Sequence, residues 1–272
     1  MKFSLITATL GRIDEIKILC ESLNKQTFTD FELYIVDQNE HHLIEEYINK
    51  INVFYPIHYI RNKTKGLSLN RNIALKHCKG DYIGFPDDDC FYSPHVLEEV
   101  NKAFLQFNAA KFIAVTTCDS ITHEQNHFTK KQFLFKKDIF RNCISYNIFV
   151  KKNSNLFDER LGVGTYFSSG EETDYLYSLI TSKSDYGIFV PQVQIFHPTN
   201  QNHISLQKVY KYSLGFAALQ KKDWLTRKDS SALYRYFYYL SRAFIGMLLI
   251  KGFFKHWYSF KGKIVGFVKF KV

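Results

Sequence analysis

Three consecutive carboxylates, Asp87, Asp88 and Asp89, follow the apolar run Tyr82–Phe85 and Pro86. Like charges this close repel one another, and burial at a strand end would raise the cost. A divalent cation bound to a diphosphate would relieve the conflict, because hard carboxylate oxygens suit Mg or Mn. On extended chain Asp87 and Asp89 point to one side and Asp88 to the other. The competing reading is an acidic turn before the next helix, with Ser93 as N-cap and Pro94 as its first residue. A second acidic group, Glu171, Glu172 and Asp174, follows Ser168-Ser169-Gly170 and opens a helix-like stretch. The helix dipole keeps first-turn carboxylates ionised, which is the state a general base needs. Ser169 and Glu172 also have the spacing of a capping box, in which Glu172 would only accept a backbone N–H. His197 ends the strand-like run before Pro198. Its imidazole suits Mn, and a hydrogen-bonded structural histidine is the alternative.

These groups need elements that bring them to one place. Short apolar runs at Phe3–Ala8, Phe31–Val36, Ile57–Ile60, Tyr82–Phe85 and Phe112–Thr117 alternate with helical patterns at Ile13–Gln26, Leu43–Ile51, Leu69–His77 and Val96–Phe107. This order predicts an α/β fold with a doubly wound, mostly parallel sheet and helices on both faces. Ligands of such sheets sit beyond the carboxyl ends of the strands. Thr7-Ala8-Thr9-Leu10-Gly11-Arg12, Asp37-Gln38-Asn39, the segment from Asn62 to Asn72 with Arg71, and the aspartate triplet all fall at that edge. Neither a G-x-G-x-x-G nor a G-x-x-x-x-G-K-[ST] phosphate loop is present. Residues 119–142 read as an irregular connection and Ile144–Val150 as a strand. Gly162, Gly164 and Gly170 belong to a glycine-rich loop, in which Arg160–Thr165 either flexes over an acceptor or forms a turn. Glu171–Thr181 and Leu206–Leu219 read as helices, Ile188–Val190 and Val193–Phe196 as strands around Pro191, and Asp223–Ser231 as a polar hinge.

The chain has 272 residues, 46% apolar, which excludes a disordered protein. Its five cysteines are scattered without metal-finger or redox spacing, so free thiols in a reducing compartment are expected. The opening apolar run is broken by Arg12 and Asp14 and reads as a first core strand, not a signal peptide. Eight of the 36 Lys/Arg and none of the 26 Asp/Glu lie from residue 230 onward, so 28 face 26 in the rest. A nucleic-acid binder would spread its basic surface over the folded face, and no nucleic acid is expected as partner. From Ala232 onward, thirteen aromatic residues alternate with the eight bases. The uncharged run Ala243–Ile250 is far shorter than the roughly 18 residues of a spanning helix. A basic, aromatic helical segment at an anionic membrane surface fits this composition, with a break near Gly246 or Gly252. Packing of these aromatics as ordinary core is the alternative.

Taken together, the polar segments over residues 3–220 resemble, in order, those of the inverting nucleotide-sugar glycosyltransferases of family 2, with the GT-A fold. The resemblance implies a catalytic domain over 1–222, with a nucleotide-sugar half to about 118 and an acceptor half after it; the tail's composition leaves 223–272 as the membrane-surface segment. It implies that Thr7, Thr9 and Arg12 line the nucleotide pocket and that Asp37 accepts from the imide N–H of a uracil or thymine. Arg71 would lie near base and phosphates, and Asp87 and Asp88 would face the ribose and metal side. Asp89 of this DXD-type triplet would bind Mn or Mg, with His197 completing the shell. The family's usual Asp base aligns with Glu172 here, a longer side chain, so Glu172 is the expected base, Asp174 the next and Glu171 positional. The implied enzyme is metal-dependent, favours a UDP-sugar, and adds one sugar to a lipid-linked or cell-surface polysaccharide precursor on the cytoplasmic face of the membrane. A processive synthase would carry Gln-x-x-Arg-Trp, and neither Trp224 nor Trp257 follows an arginine. An inactive sugar-nucleotide-binding assembly protein, or a nucleic-acid binder using the basic tail, would be the other outcomes.

Overall fold

The structure is a computed structural model that describes residues 1–120, 122, 130–198, 204–249 and 252–272. In chain order its elements begin with β1 (Phe3–Thr9), α1 (Ile13–Leu23), β2 (Phe31–Asp37), α2 (Leu43–Ile48), β3 (Ile57–Arg61) and α3 (Leu67–Leu75). Then come β4 (Tyr82–Gly84), β5 (Phe91–Tyr92), α4 (Val96–Gln106), β6 (Phe112–Asp119), β7 (Gln132–Leu134), α5 (Lys136–Asn142), a 3-10 turn (Ser145–Asn147) and β8 (Ile148–Lys151). The chain continues through α6 (Glu171–Leu179), β9 (Gly187–His197), α7 (Leu206–Thr226), α8 (Ser230–Leu249) and α9 (Phe253–Lys269). It forms two compact units. One comprises Met1–Lys65, Leu69–Leu156 and Tyr175–Thr199; the other comprises Gly66–Ser68, Phe157–Asp174 and Asn200–Val272.

The first unit is built on one sheet of order β3-β2-β1-β4-β8-β6-β9-β5, with β7 added on β9. β1 to β4, β6 and β9 run the same way, while β5, β7 and β8 oppose them. The sheet is mostly parallel, as the continuous apolar runs require, because strands covered on both faces have no polar side. Leu33 and Ile35 of β2 join Leu19 and Leu23 of α1, Ile44 of α2 and Val100 and Phe104 of α4 in one core. Tyr34 points to the opposite face, where its hydroxyl donates to His77 O beyond α3 (2.8 Å). The register pairs Thr9 with Asp37 and Asp37 with Arg61, which aligns the carboxyl ends of three strands.

Several sequence expectations are corrected here. Residues 119–142 contain β7 and α5; α5 is capped by Asp138, whose Oδ2 accepts from Phe135 N (3.0 Å). Residues 121 and 123–129 of that stretch lie outside the described residues. The expected strand from Ile144 begins only at Ile148, because Asn147 Oδ1 takes Ile144 N (2.9 Å) and closes the 3-10 turn. The two strands expected around Pro191 are one. Val115 pairs with Val190 and Thr116 with Gln194, so the proline sits in a bulge that needs no N–H from it. Thr116 Oγ1 donates to Pro191 O (2.8 Å).

In the second unit α7, α8 and α9 pack together through glycines. A Cβ at Gly266 would lie 2.4 Å from Leu214 O, and one at Gly246 would lie 2.4 Å from the His256 ring. The expected boundary at residue 222 falls inside α7, where Asp223 is fully buried and accepts from Arg235 Nη2 (3.0 Å). The expected break in the tail occurs at Gly252 (φ +108°), whereas Gly246 is inside α8. Lys263 of α9 is buried, and burial lowers its ammonium pKa to about 8. The unfolded chain then binds more protons between that value and the ordinary 10.5, so stability should rise with pH across this window. Lys263→Met removes a penalty of roughly 3 kcal/mol at neutral pH. Its melting temperature should exceed that of the parent at pH 7, and the gap should close toward pH 10. An equal gap at both pH values would contradict the assignment.

Candidate active site

The aspartate triplet lies on a turn beyond β4, closed by Cys90 N donating to Asp87 O (3.1 Å). The alternating directions expected of extended chain are therefore not realised, and Asp88 and Asp89 reach the same cation. Arg12 Nη1 donates to Asp88 Oδ1 (2.8 Å) and also to Asp89 Oδ2. Arg71 of α3 is 1% exposed and donates through Nη2 to Asp87 Oδ1 (2.8 Å), so it is not a surface residue. The helix-capping alternative for Ser93 does not hold either: α4 starts at Val96, and Ser93 Oγ donates to Gln194 O (2.9 Å).

His197, at the end of β9, places Nε2 3.2 Å from Asp89 Oδ1 and stacks on Tyr146 with centroids 4.3 Å apart. Burial pushes Asp87 and Asp88 upward, against the positive charges of Arg71 and Arg12. Burial also pushes Asp89 up, but the hydrogen bond and charge of His197, with Arg12, outweigh it and hold Asp89 low. Burial would lower His197, and Asp89 outweighs it to raise the imidazole. Asp89, Cys90 and His197 each offer a ligand atom within 4.8 Å of the others, and His197 Nδ1 is buried with no hydrogen-bond partner among the described residues. Burial holds the Cys90 thiol well above its ordinary value, while Asp89 and His197 offer oxygen and nitrogen donors. That set fits Mg or Mn.

The neighbouring strand ends form the rest of this edge. Thr7 Oγ1 donates to Pro86 O (3.1 Å), tying β1 to the triplet loop, and Thr9 is fully buried beside it. Asp37 is also fully buried. Its Oδ1 accepts from Asn39 N (2.9 Å) and Asn39 Nδ2 (2.7 Å), and its Oδ2 accepts from Tyr59 OH (2.9 Å). Asn39 Oδ1 in turn accepts from Gly11 N (2.6 Å), where φ is +77°. Sequence reasoning placed Asn39 at this edge without a role and missed Tyr59 and Tyr146. The position of Tyr59 on β3, beside β2, was the available signal.

The second acidic group starts α6 in the other unit. Gly170, with φ +89°, precedes the helix, and Ser169 Oγ donates to Tyr212 O (2.9 Å), so Ser169 is one residue too early for a capping box. Glu171 is buried against Gly162. Asp174 is 3% exposed; Lys222 Nζ donates to its Oδ2 (2.8 Å) and Arg227 Nη2 to its Oδ1 (2.9 Å). Lys222 also donates to Asp158 Oδ2 (2.7 Å). Asp174 therefore holds α7 in place and suits a general base poorly. Glu172 is the carboxylate of the three that keeps partial exposure. The glycine-rich loop is a tied turn: Gly162 N donates to Phe167 O (2.9 Å) and Thr165 Oγ1 to Gly162 O (2.8 Å). All five cysteines are free and buried.

A mostly parallel sheet with a cation-balanced acidic edge beyond its strands is the GT-A arrangement of glycosyltransferases. The sequence profile described as Glycosyl transferase family 2 matches residues 4–160, more than half of the chain. The chain belongs to that family. An uncharacterised glycosyltransferase of Haemophilus influenzae is 27% identical over 66% of this chain and 63% of its own length. The Escherichia coli protein named UDP-Glc:alpha-D-GlcNAc-diphosphoundecaprenol beta-1,3-glucosyltransferase WfaP is 36% identical over 33% of this chain and 36% of its own. The chain thus spans under two thirds of either relative. Staphylococcus aureus TarS 1-349 in complex with UDP-GlcNAc superposes with a TM-score of 0.62 at 15% identity, covering 98% of this chain and 89% of that one. The mannosyltransferase PcManGT of Pyrobaculum calidifontis, in complex with GDP-Man and Mn2+, gives 0.61 at 10% identity over 98% and 86%.

Replacing Asp174 removes the buried carboxylate that Lys222 and Arg227 share, leaving Lys222 with Asp158 and Arg227 with Asp223, and breaking so covered a network is destabilising. Asp174→Asn should lower the melting temperature by many degrees in a thermal scan, whereas Glu172→Gln should leave it nearly unchanged. The opposite ranking would reverse their roles.

Proposed function

We propose that the protein transfers one sugar, from a UDP-sugar, to a hydroxyl of a lipid-linked or cell-surface polysaccharide precursor, with inversion at the anomeric carbon. The observation that carries this reading is the Asp89–His197 pair within the charge-balanced triplet at the strand ends. UDP is preferred because Asp37, held in one orientation by Asn39 and Tyr59, is the carboxylate that the family resemblance assigns to the imide N–H of the base. The UDP-GlcNAc complex of TarS is in keeping with that choice. Thr7, Thr9 and Arg12 line the nucleotide side with Arg71, Asp87 and Asp88. Asp89 and His197 would hold a divalent cation, Mn or Mg, which supplies positive charge to the leaving diphosphate. The Mn2+ complex of PcManGT supports a metal of this kind.

Glu172 takes the proton of the acceptor hydroxyl as its oxygen forms the new bond to C1 of the donor. The bond from C1 to the diphosphate breaks, and the nucleoside diphosphate leaves with the electron pair. Glu171 stays positional. The name of WfaP, with its diphosphoundecaprenol-linked acceptor, favours a lipid-linked substrate. Among the described residues no helix is long and apolar enough to cross a membrane. Residues 230–272, with eight bases and no acid, would instead bring the enzyme to the anionic cytoplasmic leaflet as a peripheral protein.

A panel of UDP-, dTDP- and GDP-sugars, assayed for nucleotide release with Mn, tests the reading. A UDP-sugar should be turned over and a chelator should stop it. Asp89→Ala should abolish turnover with the melting temperature unchanged, and full activity of that variant would defeat the metal assignment. Glu172→Gln should cost roughly 10² to 10⁴ in turnover, the usual worth of a general base, with UDP affinity unaltered. A change of less than twofold would move the base elsewhere.

A further inference from the structure

Helix α8 carries two apolar stripes, and only one of them is used in packing. Ala232, Tyr236, Ala243 and Gly246 are buried; the Tyr236 ring lies 4.4 Å from that of Phe267 of α9, and Gly246 sits against His256. At 3.6 residues per turn, Phe237, Phe244 and Leu248 fall on the opposite side of the helix, with Leu249 at its edge. These four are 59%, 48%, 68% and 78% exposed, far more than residues of their type need be. The first turn of α9 adds Phe253 and Phe254, which are 51% and 65% exposed. A groove of about 540 Å³ runs along the stripe, with Phe260 of α9 on its wall.

The charges beside the stripe choose its occupant. Residues 230–272 contain no carboxylate. Arg235 is turned inward to Asp223 and Gln220, and Lys263 is buried, so neither serves an outside partner. Arg242, which shares its side of α8 with Leu249, and Lys255, beside Phe254, are exposed. A second copy of this chain would bring the same positive charges against them, and a neutral protein groove would gain nothing from them. Anionic headgroups above an acyl layer match both parts. We propose that this outer stripe of α8, with the first turn of α9, is a membrane-inserting face that seats its apolar side chains in the acyl boundary of an anionic lipid surface. The inference rests on the membrane-surface reading above and makes insertion, rather than the bases alone, its main source of affinity. α8 lies along the interface in this arrangement, since it cannot span the bilayer.

Sedimentation of the full chain with phosphatidylglycerol-containing vesicles and with phosphatidylcholine vesicles, in low and high salt, tests the proposal. The parent should pellet with the anionic vesicles and keep a substantial bound fraction in high salt. Leu248→Ser combined with Leu249→Ser, at two exposed positions where the fold loses little, should weaken partitioning by about tenfold or more. Arg242→Glu with Lys255→Glu should weaken it mainly in low salt. Equal pelleting of the leucine variant and the parent would overturn the inference. So would a parent dimer, seen by size exclusion, that the leucine substitutions split. Release of UDP from UDP-GlcNAc is read in the same samples. If no variant or parent releases UDP while the leucine effect holds, the inserting face stands and the catalytic reading falls.

Discussion

Three carboxylates on one turn repel one another, and the surrounding residues are arranged to offset that repulsion. Arg71 reaches Asp87 from α3, Arg12 reaches Asp88 and Asp89 from the loop after β1, and His197 approaches Asp89 from the end of β9. Each cation comes from a different element, so the turn keeps its shape only if those elements end at one edge. The parallel register supplies that edge: Thr9, Asp37 and Arg61 align across three strands. The bulge at Pro191 lets β9 continue far enough for His197 to reach it. The site is thus an electrostatic consequence of the topology, and the topology is fixed by the apolar runs beneath it.

The same principle governs the second acidic group with a different result. Asp158, Asp174 and Asp223 are matched by Lys222, Arg227 and Arg235 within one unit. Buried pairs of this kind cost more when broken than they contribute when intact, so they set geometry more than stability. Asp174 is committed to that network, and Glu171 is enclosed beside Gly162. Glu172 lies between them in sequence and keeps partial exposure, as the proposed general base would need.

What was legible in the sequence was local or periodic. Continuous apolar runs marked β1, β2 and β6 within a residue or two, and the polar segments after β1, β2 and β4 marked the edge that holds Thr7, Asp37 and Asp87. Less legible were features set by distant partners. The turn at Asp87–Asp89 depends on Arg12, some 75 positions earlier in the chain, and looked like extended strand without it. Lys222 and Arg227 gave no local hint that they would close on Asp158 and Asp174, so a boundary was expected inside α7. β5 has only two residues and pairs with β9 across about a hundred positions, too short for any period to register. The tail's basic and aromatic composition was plain, but which bases turn inward and which aromatics stay outside depended on glycine contacts between α7, α8 and α9.

Asp89 and His197 are proposed to hold together the cation that meets the donor diphosphate. Electron spin-echo measurement on the protein with Mn and UDP tests it directly, because a coordinated imidazole leaves a nitrogen modulation on the metal signal. The parent should show that modulation, His197→Gln should lose it with Mn still bound, and Asp89→Ala should lose the bound Mn signal itself. A nitrogen modulation that survives His197→Gln, or tight Mn binding in Asp89→Ala, would contradict it.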